Sequence, residues 1–185
     1  MSKIEWPLMK DTVTLRDRLK LAKFVLTSSK LTAGPKVREF EDRWSDWLGC
    51  DYSLFVSSGS TANFLLVSAM KEKHGWNCGD KILVPSCTWV TNVSPIIQLG
   101  LQPVFCDINI DTYHIDIESV KRMTTPNTKA IVYPHLFGSM SDTTELQNYC
   151  KENNILFIED SAQSLGSSLN SVRAGTIGDV SVFSF

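Results

Sequence analysis

The chain has 185 residues, of which 43% are hydrophobic and 21% charged. This length is enough for one domain with a hydrophobic core, and the composition is unlike that of a disordered or fibrous protein. The formal net charge of −2 gives no electrostatic reason to expect a nucleic acid or an anionic membrane as a partner. No apolar run approaches the ~18 residues of a membrane span, and the first residues lack an apolar signal core, so we expect a cytoplasmic protein.

The first fifty residues are predicted to be helical. Apolar residues recur at helical spacing from Leu15 to Leu26, with Thr12 or Thr14 available as an N-cap. Pro35 suits the start of a second helix, and Gly49 suits its end. One face of this second helix carries four apolar side chains: Val37, Phe40, Trp44 and Trp47. For the two tryptophans we expect core packing.

From residue 53 onward, short apolar runs alternate with helical patterns. The apolar runs are predicted to be strands, over 53–57, 81–85, 103–107, 129–133, 155–159 and 179–185. The helices are predicted over 60–73, 88–99, 116–123 and 142–153. Such alternation predicts an α/β fold of three layers, a mostly parallel sheet with helices on both faces. Ligands of these sheets bind outside the carboxyl ends of the strands.

Neither the cysteines nor the histidines predict a metal site. The five cysteines include no C-x-x-C pair, which favours buried, reduced thiols over a zinc site or a redox dithiol. His74, His114 and His135 are far apart in the sequence and lack the spacing of metal ligands. His135 follows a predicted strand and could approach the cleft, although a structural role is the simpler interpretation.

The first strand end of chemical interest is SSGSTAN at 57–63, between a predicted strand and a predicted helix. Small residues let the backbone approach an anion, and the free amides and dipole of a helix start favour negative charge. The hydroxyls of Ser60 and Thr61 add donors, so a phosphate is the natural ligand. The same residues also suit a well-capped helix, and the motif is neither a P-loop nor a dinucleotide-binding fingerprint.

The second and third strand ends carry Trp89 and the EDSAQ segment at 159–163. Trp89 could lie flat against a planar ligand ring or pack between helix and sheet. Asp160 ends a very apolar strand, where an ionised carboxylate needs a partner such as a protonated ring nitrogen, an arginine or a helix start. Gln163 could bond the same ligand from the next turn.

The fourth strand end is Phe183-Ser184-Phe185. Alternation along a strand predicts that Ser184 points away from the two aromatic side chains, toward the cleft or another layer. A phosphate-binding helix start, an aromatic side chain for stacking and an aspartate at a strand end together predict a site for a phosphorylated pyridine ring. Pyridoxal 5'-phosphate is such a ring.

Seven segments, in this order and spacing, resemble the DegT/DnrJ/EryC1/StrS family of pyridoxal phosphate-dependent sugar aminotransferases. They are LTAGPKVREFE at 31–41, SSGSTAN at 57–63, VPSCTWV at 84–90, GLQPVFCDIN at 100–109, PHLFG at 134–138, EDSAQSLGS at 159–167 and GTIGDVSVFSF at 175–185. Each segment alone is a weak signal, whereas their order is specific.

The resemblance implies a cofactor site for pyridoxal or pyridoxamine phosphate. The hydroxyls of Ser60 and Thr61 would hold the phosphate, with a further hydroxyl from Ser184. The implied roles on the ring belong to three other residues: Trp89 on its face, Asp160 at the pyridine nitrogen and Gln163 near the phenolic oxygen.

The resemblance also implies the domain organisation and the partners. It predicts a helical segment over 1–50, part of a fold-type I cofactor-binding large domain over 51–185, and no small C-terminal domain. The implied partners are a nucleotide-linked keto-sugar, an amino donor such as glutamate and a second copy in a homodimer. The implied pathways make deoxyaminosugars or cell-surface polysaccharides such as lipopolysaccharide.

One departure concerns the catalytic lysine. In the family, the lysine that forms the Schiff base with the cofactor follows the matching Ser-Phe pair, and this sequence ends at Phe185 before that position. We therefore expect an N-terminal fragment that holds no catalytic residue and is inactive alone. A fragment with no catalytic purpose at all is the alternative from another functional class.

A second alternative is a pyridoxamine phosphate-dependent 3-dehydratase of 4-keto-6-deoxy sugars, which carries histidine where the lysine would be. SSGSTAN at 57–63, with Asn63, and the segment 91–105 resemble the dehydratase version of the family. EDSAQ at 159–163 resembles the aminotransferase version. Transamination is the first expectation and dehydration the second.

Overall fold

The computed structural model describes residues 12–185. Five of the seven strands in these residues form one main sheet. The strands are β1 (Lys81–Pro85), β2 (Gln102–Cys106), β3 (Thr128–Pro134), β4 (Leu156–Asp160), β5 (Ser168–Leu169), β6 (Val172–Arg173) and β7 (Val180–Val182). The main sheet has the order β2-β1-β3-β4-β7, and every neighbouring pair in it is parallel. β5 and β6 form a separate antiparallel pair.

Helices cover both faces of the main sheet. The helices of residues 12–185 are α1 (Leu15–Thr27), α2 (Pro35–Leu48), α3 (Gly59–His74), α4 (Ser94–Gln98), α5 (Ile117–Met123) and α6 (Thr144–Glu152), with short 3-10 turns at Val90–Asn92 and Leu136–Gly138. The last four of these helices pack on the sheet. Ile131 of β3 packs with Val120 and Leu146 from α5 and α6. On the other face, α3 and α4 contribute Val67 and Ile96. The predicted three-layer α/β fold with a mostly parallel sheet is therefore confirmed.

The two cores are dry and account for much of the stability of the sheet. The residues fully shielded from solvent include Ile82, Leu83, Val84, Ile96 and Ile131. Because neighbouring side chains on a strand point to opposite faces, Leu83 and Ile82 enter different cores. Each such side chain contributes about 1.5–3 kcal/mol when it is fully removed from water.

The two N-terminal helices begin and end as the sequence predicts. Thr14 caps α1 in a capping box, accepting from Asp17 N–H at 3.3 Å while the Asp17 carboxylate accepts from Thr14 N–H at 3.0 Å. α2 begins at Pro35 and is ended by Gly49 in a left-handed conformation, φ 85°. None of the helices within residues 12–185 has the length and apolar content to cross a lipid bilayer.

The tryptophans of α2 pack less deeply than predicted. The Trp44 ring meets Phe183 and Phe185 edge-on, with centroids 5.1 and 5.0 Å away. Trp47 lies at the margin of this group, 5.0 Å from Trp44, and is 40% exposed. Core packing is thus wrong for Trp47, whose ring lies beside the Arg173 guanidinium, 5.2 Å from its centroid, rather than in the core.

The predicted strand at 53–57 is wrong, because this segment has no regular secondary structure. Its backbone bonds to a neighbouring element through Phe55 N–H, which donates to the Glu41 carboxylate at 2.8 Å. A trough of about 600 Å³ separates the segment from β7. Since strands exist only by pairing, a propensity for extended structure is not sufficient without a neighbouring backbone at hydrogen-bonding distance.

The predicted helix at 88–99 is also wrong in its extent. A 3-10 turn at Val90–Asn92 is followed by the short helix α4, which has Pro95 in its first turn. A continuous helix would need an N–H from Pro95 and would press its ring against the preceding turn. The break leaves Trp89 in a turn beside the end of β1.

The cysteines are free, as expected, but only some are buried. Cys106 and Cys150 lie in the core, where burial raises the pKa of their thiols to about 11 and about 12. Cys78 and Cys87 are exposed because they stand in the turns before and after β1. The prediction of buried thiols is therefore wrong for these two.

Candidate functional site

A cavity of about 530 Å³ opens at the carboxyl-end edge of the sheet. It is lined by the ends of β3, β4 and β7, by the start of α3 and by the turn after β1. Five of the six predicted site residues line this one cavity: Ser60, Trp89, Asp160, Gln163 and Ser184. The trough beside 53–57 is slightly larger, but neither Asp160 nor Trp89 lines it. The cavity is therefore the candidate site.

The sixth predicted residue, Thr61, does not line the cavity. Its hydroxyl bonds to the hydroxyls of Ser57 at 3.1 Å and Ser58 at 2.9 Å, on the capping side of α3. The Thr61 N–H donates to the Ser58 hydroxyl at 3.1 Å, which caps the helix. Thr61 thus serves the helix end in this structure, and its role toward a phosphate stays a prediction.

The first turn of α3 is built as an anion-binding end. Ser58 caps it with extended backbone, and the cap accepts hydrogen bonds from Thr61 N–H and, through its carbonyl, from Ala62 N–H. The amides of Gly59 and Ser60 precede these bonded donors, and a helix of 16 residues adds its dipole. Both residues line the cavity, so two amides and one hydroxyl are available to a phosphate.

Ser184 reaches the same place from β7. A Cβ built on Gly59 would lie 3.4 Å from both Cβ and Oγ of Ser184, so the two backbones approach closely. Phe183 and Phe185 turn the other way, toward Trp44. The predicted orientation of Ser184, toward the cavity and away from the two aromatic side chains, is therefore confirmed. The predicted strand at 179–185 is too long, because β7 ends at Val182.

Asp160 ends β4 at the floor of the cavity and is only 7% exposed. Its carboxylate accepts one hydrogen bond, from Ala162 N–H at 3.0 Å. No lysine or arginine of residues 12–185 is within ion-pair distance of it. An ionised carboxylate in such a place is costly unless a cation or a charged hydrogen-bond donor joins it. The arginine alternative is thereby excluded within the described part of the chain.

Gln163 is tied to the turn that follows β3. Its Oε1 accepts the N–H of Phe137 at 2.8 Å. Phe137 holds a left-handed conformation, φ 57°, and its ring is 81% exposed at the rim of the cavity. Because Oε1 is engaged, the amide NH₂ group of Gln163 is the end that can donate to a ligand.

Sequence reasoning named His135 as able to approach the cleft, and this histidine lines the cavity. The partner of His135, Glu159, was missed. Both side chains are fully buried, with His135 Nε2 2.8 Å from Glu159 Oε2. Glu159 also accepts the N–H groups of Gly175, Ile177 and Gly178. The signal available in the sequence was Glu159, a second carboxylate at the end of a very apolar strand. A buried carboxylate needs several hydrogen-bond donors, so such donors could have been expected around it.

Burial shifts the pKa values of two groups behind this pair toward their neutral forms. Burial raises the pKa of the Tyr133 phenol to about 12, and its hydroxyl lies 2.7 Å from that of Ser141. Burial lowers the pKa of His114, whose ring stacks on Tyr133 with centroids 5.2 Å apart. The only buried carboxylate left open to a ligand at this edge, among residues 12–185, is that of Asp160.

The residues present fit a phosphorylated, protonated ring. A phosphate fits the open amides at the start of α3, and a ring N–H⁺ fits the Asp160 carboxylate, which has no cationic partner in the described part of the chain. The cavity volume of about 530 Å³ is in the range of small-molecule sites.

Comparison with known proteins identifies the family of this chain. The family described as DegT/DnrJ/EryC1/StrS aminotransferase matches residues 14–185. The chain is 38% identical over 162 residues to a GDP-4-keto-6-deoxy-D-mannose 3-dehydratase of Escherichia coli O55:H7, covering 86% of this chain and 42% of that protein. It is 36% identical over 152 residues to a GDP-perosamine synthase of Vibrio cholerae, covering 82% of this chain and 40% of that protein.

A solved structure shares the fold. The E. coli GDP-4-keto-6-deoxy-D-mannose-3-dehydratase with bound hydrated PLP superposes with a TM-score of 0.86 and 37% identity. The match covers 95% of this chain and 45% of that one. The chain thus spans less than half the length of the relatives that it matches.

Proposed function

The chain belongs to the DegT/DnrJ/EryC1/StrS aminotransferase family, and from that premise we propose that it forms the cofactor-binding part of an enzyme that aminates a nucleotide-linked keto-sugar. The proposed cofactor is pyridoxal or pyridoxamine phosphate, and the proposed amino donor is glutamate or a similar amino acid. One observation carries the proposal: Asp160, a buried carboxylate with no cationic partner among residues 12–185, shares a cavity with an open helix N-terminus at Ser60.

Each end of the cavity suits one part of the cofactor. The amides of Gly59 and Ser60, with the hydroxyls of Ser60 and Ser184, would bind the phosphate. At the other end, Asp160 would bind the ring nitrogen and keep it protonated, because a nearby carboxylate favours the charged form of the ring.

Two further side chains would orient the ring. Trp89, which is 68% exposed and lines the cavity, would cover one face and exclude water from it. Gln163 would donate its amide N–H to the phenolic oxygen, since Phe137 N–H already engages its carbonyl oxygen. When bound, the protonated pyridine ring supplies an electron sink for proton removal at the adjoining carbon.

Amino transfer also needs an amine that moves protons. No lysine lines the cavity within residues 12–185. The chain spans 40–42% of the curated relatives described above, so the activity of the whole protein, the nucleotide-sugar substrate and a homodimeric assembly are all part of this proposal.

Dehydration is the second candidate, favoured by the identity of 38% to a 3-dehydratase and by the dehydratase-like segment that contains Asn63. The same cavity serves both reactions, since both need the ring held by Asp160. The residue that occupies the lysine position in the whole protein separates them: lysine favours transamination and histidine favours dehydration.

The test is a titration of the 185-residue chain with pyridoxamine phosphate, which has no aldehyde to react with surface lysines. We expect saturable binding that Asp160→Asn weakens about tenfold or more, because a charged hydrogen bond is lost. Asp111→Asn, at an exposed loop position, is the control and leaves the affinity unchanged. Equal affinity of Asp160→Asn and the parent chain, or no saturable binding, would overturn the proposal and favour a fragment with no catalytic purpose.

A further inference from the structure

We propose that Asn63 and Asn92 are positioning residues that hold Trp89 in place over the cavity. The inference rests on the proposed function and adds to it a hydrogen-bonded link that none of the residues predicted to bind the cofactor supplies. The two amide side chains join the first turns of α3 to the turn that carries Trp89.

Asn63 forms the helix side of this link. It is 7% exposed and lies one turn after Ser60 in α3. Its Nδ2 donates to Thr91 Oγ1 at 3.3 Å and to Asn92 Oδ1 at 3.2 Å. One side chain thus reaches two residues of the neighbouring turn.

Asn92 forms the turn side of the link and is 4% exposed. Its Nδ2 donates to Thr88 Oγ1 at 3.0 Å, while its backbone N–H donates to the carbonyl of Trp89, also at 3.0 Å. Asn92 therefore fixes the residue before the tryptophan through its side chain and the tryptophan itself through its backbone.

Trp89 needs such support because its ring makes few packing contacts. The side chain is 68% exposed, and no aromatic ring of residues 12–185 stacks against it. Its place over the cavity is therefore set by the backbone of the turn, and that backbone is held by Asn92.

The choice of amides supports a positioning role. Apolar side chains would fill the same space, but buried hydrogen-bond networks select one arrangement of the groups that they join. All four members of the network line the cavity: Asn63, Thr88, Thr91 and Asn92. The phosphate end of the cavity and its aromatic wall are thus joined in one unit.

A double-mutant cycle on the 185-residue chain tests this inference, with pyridoxamine phosphate as the probe. We expect Asn63→Ala, and separately the isosteric Thr88→Val, to weaken binding about three- to tenfold in the parent chain, as loss of an aromatic contact would. In a Trp89→Ala background the same two substitutions should cause little further loss, because the ring that they position is already absent.

Ser119→Ala is the matched control, because it removes a buried hydroxyl that bonds to Asp107 N–H outside the cavity. It should leave the affinity unchanged in both backgrounds. Circular dichroism identifies variants that fail to fold, and Thr88→Val, which keeps the side-chain volume, then decides alone.

Losses that are equal in the two backgrounds, or no loss in the parent chain, would overturn the inference while leaving the proposed function intact. Failure of the parent chain itself to bind the probe would overturn the proposed function and this inference with it.

Discussion

Glu159 and His135 form a hydrogen-bonded pair in which neither side chain is exposed to solvent, with 2.8 Å between Oε2 and Nε2. The Glu159 oxygens also accept the N–H groups of Gly175, Ile177 and Gly178. Four donors suit an ionised carboxylate, so His135 presents Nε2–H to it. Glu159 is therefore satisfied within the protein, whereas the carboxylate of its neighbour Asp160 accepts one hydrogen bond, from Ala162 N–H.

The first prediction concerns this pair. Glu159→Gln keeps the shape of the side chain but places an NH₂ group against N–H donors, leaving buried donors unpaired. We expect the free energy of unfolding to fall by about 2–4 kcal/mol, which is the range for a broken buried polar network. Urea denaturation followed by circular dichroism measures the loss. Glu118→Gln, on the exposed face of α5, should change it by less than about 0.5 kcal/mol. Equal stabilities of the two variants would contradict the prediction.

The second prediction compares two neighbours at the start of α3. Ser60 lines the cavity, whereas the Thr61 hydroxyl is turned toward Ser57 and Ser58. Ser60→Ala should therefore weaken pyridoxamine phosphate binding about three- to tenfold, with the remaining amides keeping part of the affinity. Thr61→Val should leave binding within about twofold. Fluorescence titration measures both, and a larger loss for Thr61→Val would restore it as a phosphate ligand.

The third prediction concerns Gln163. Because Oε1 is held by Phe137 N–H at 2.8 Å, Gln163→Ala frees that amide as well as removing a donor to the ligand. We expect faster hydrogen exchange at Phe137 N–H and weaker binding of pyridoxamine phosphate, by about three- to tenfold. Gln147→Ala, on α6 and outside the cavity, is the control. Unchanged exchange at Phe137 in Gln163→Ala would show that this hydrogen bond does not hold the turn.

Some of this site could be read from the sequence, for physical reasons. The placement of Asp160 and Ser184 follows from strand ends and from alternation, which depend only on local order. The link between Asn63 and Asn92 and the left-handed turn at Phe137 depend on contacts between segments distant in sequence, which a local pattern does not encode. The segment 53–57 is the opposite case. Its local pattern favours a strand, but no neighbouring strand pairs with it.

The last prediction concerns pH and His114. Burial lowers the pKa of this histidine below its ordinary value, and its Nε2 lies 3.2 Å from the Ser139 carbonyl oxygen. When the chain unfolds, the ring regains the ordinary pKa of about 6.5, so the unfolded state binds more protons in the window between the two values. Stability should therefore decrease as the pH falls through about 6.5 and toward the lowered pKa, and be unaffected by His114 above that window.

Urea denaturation of the parent chain and of His114→Gln over pH 5–8 measures this effect, since glutamine removes the titration and keeps a polar side chain. We expect the free energy of unfolding of the variant to depend less steeply on pH below about 6.5. His74→Gln is the control, because His74 is exposed at the end of α3, and it should leave the slope unchanged. A slope in His114→Gln as steep as that of the parent chain would mean that His114 is not the group responsible.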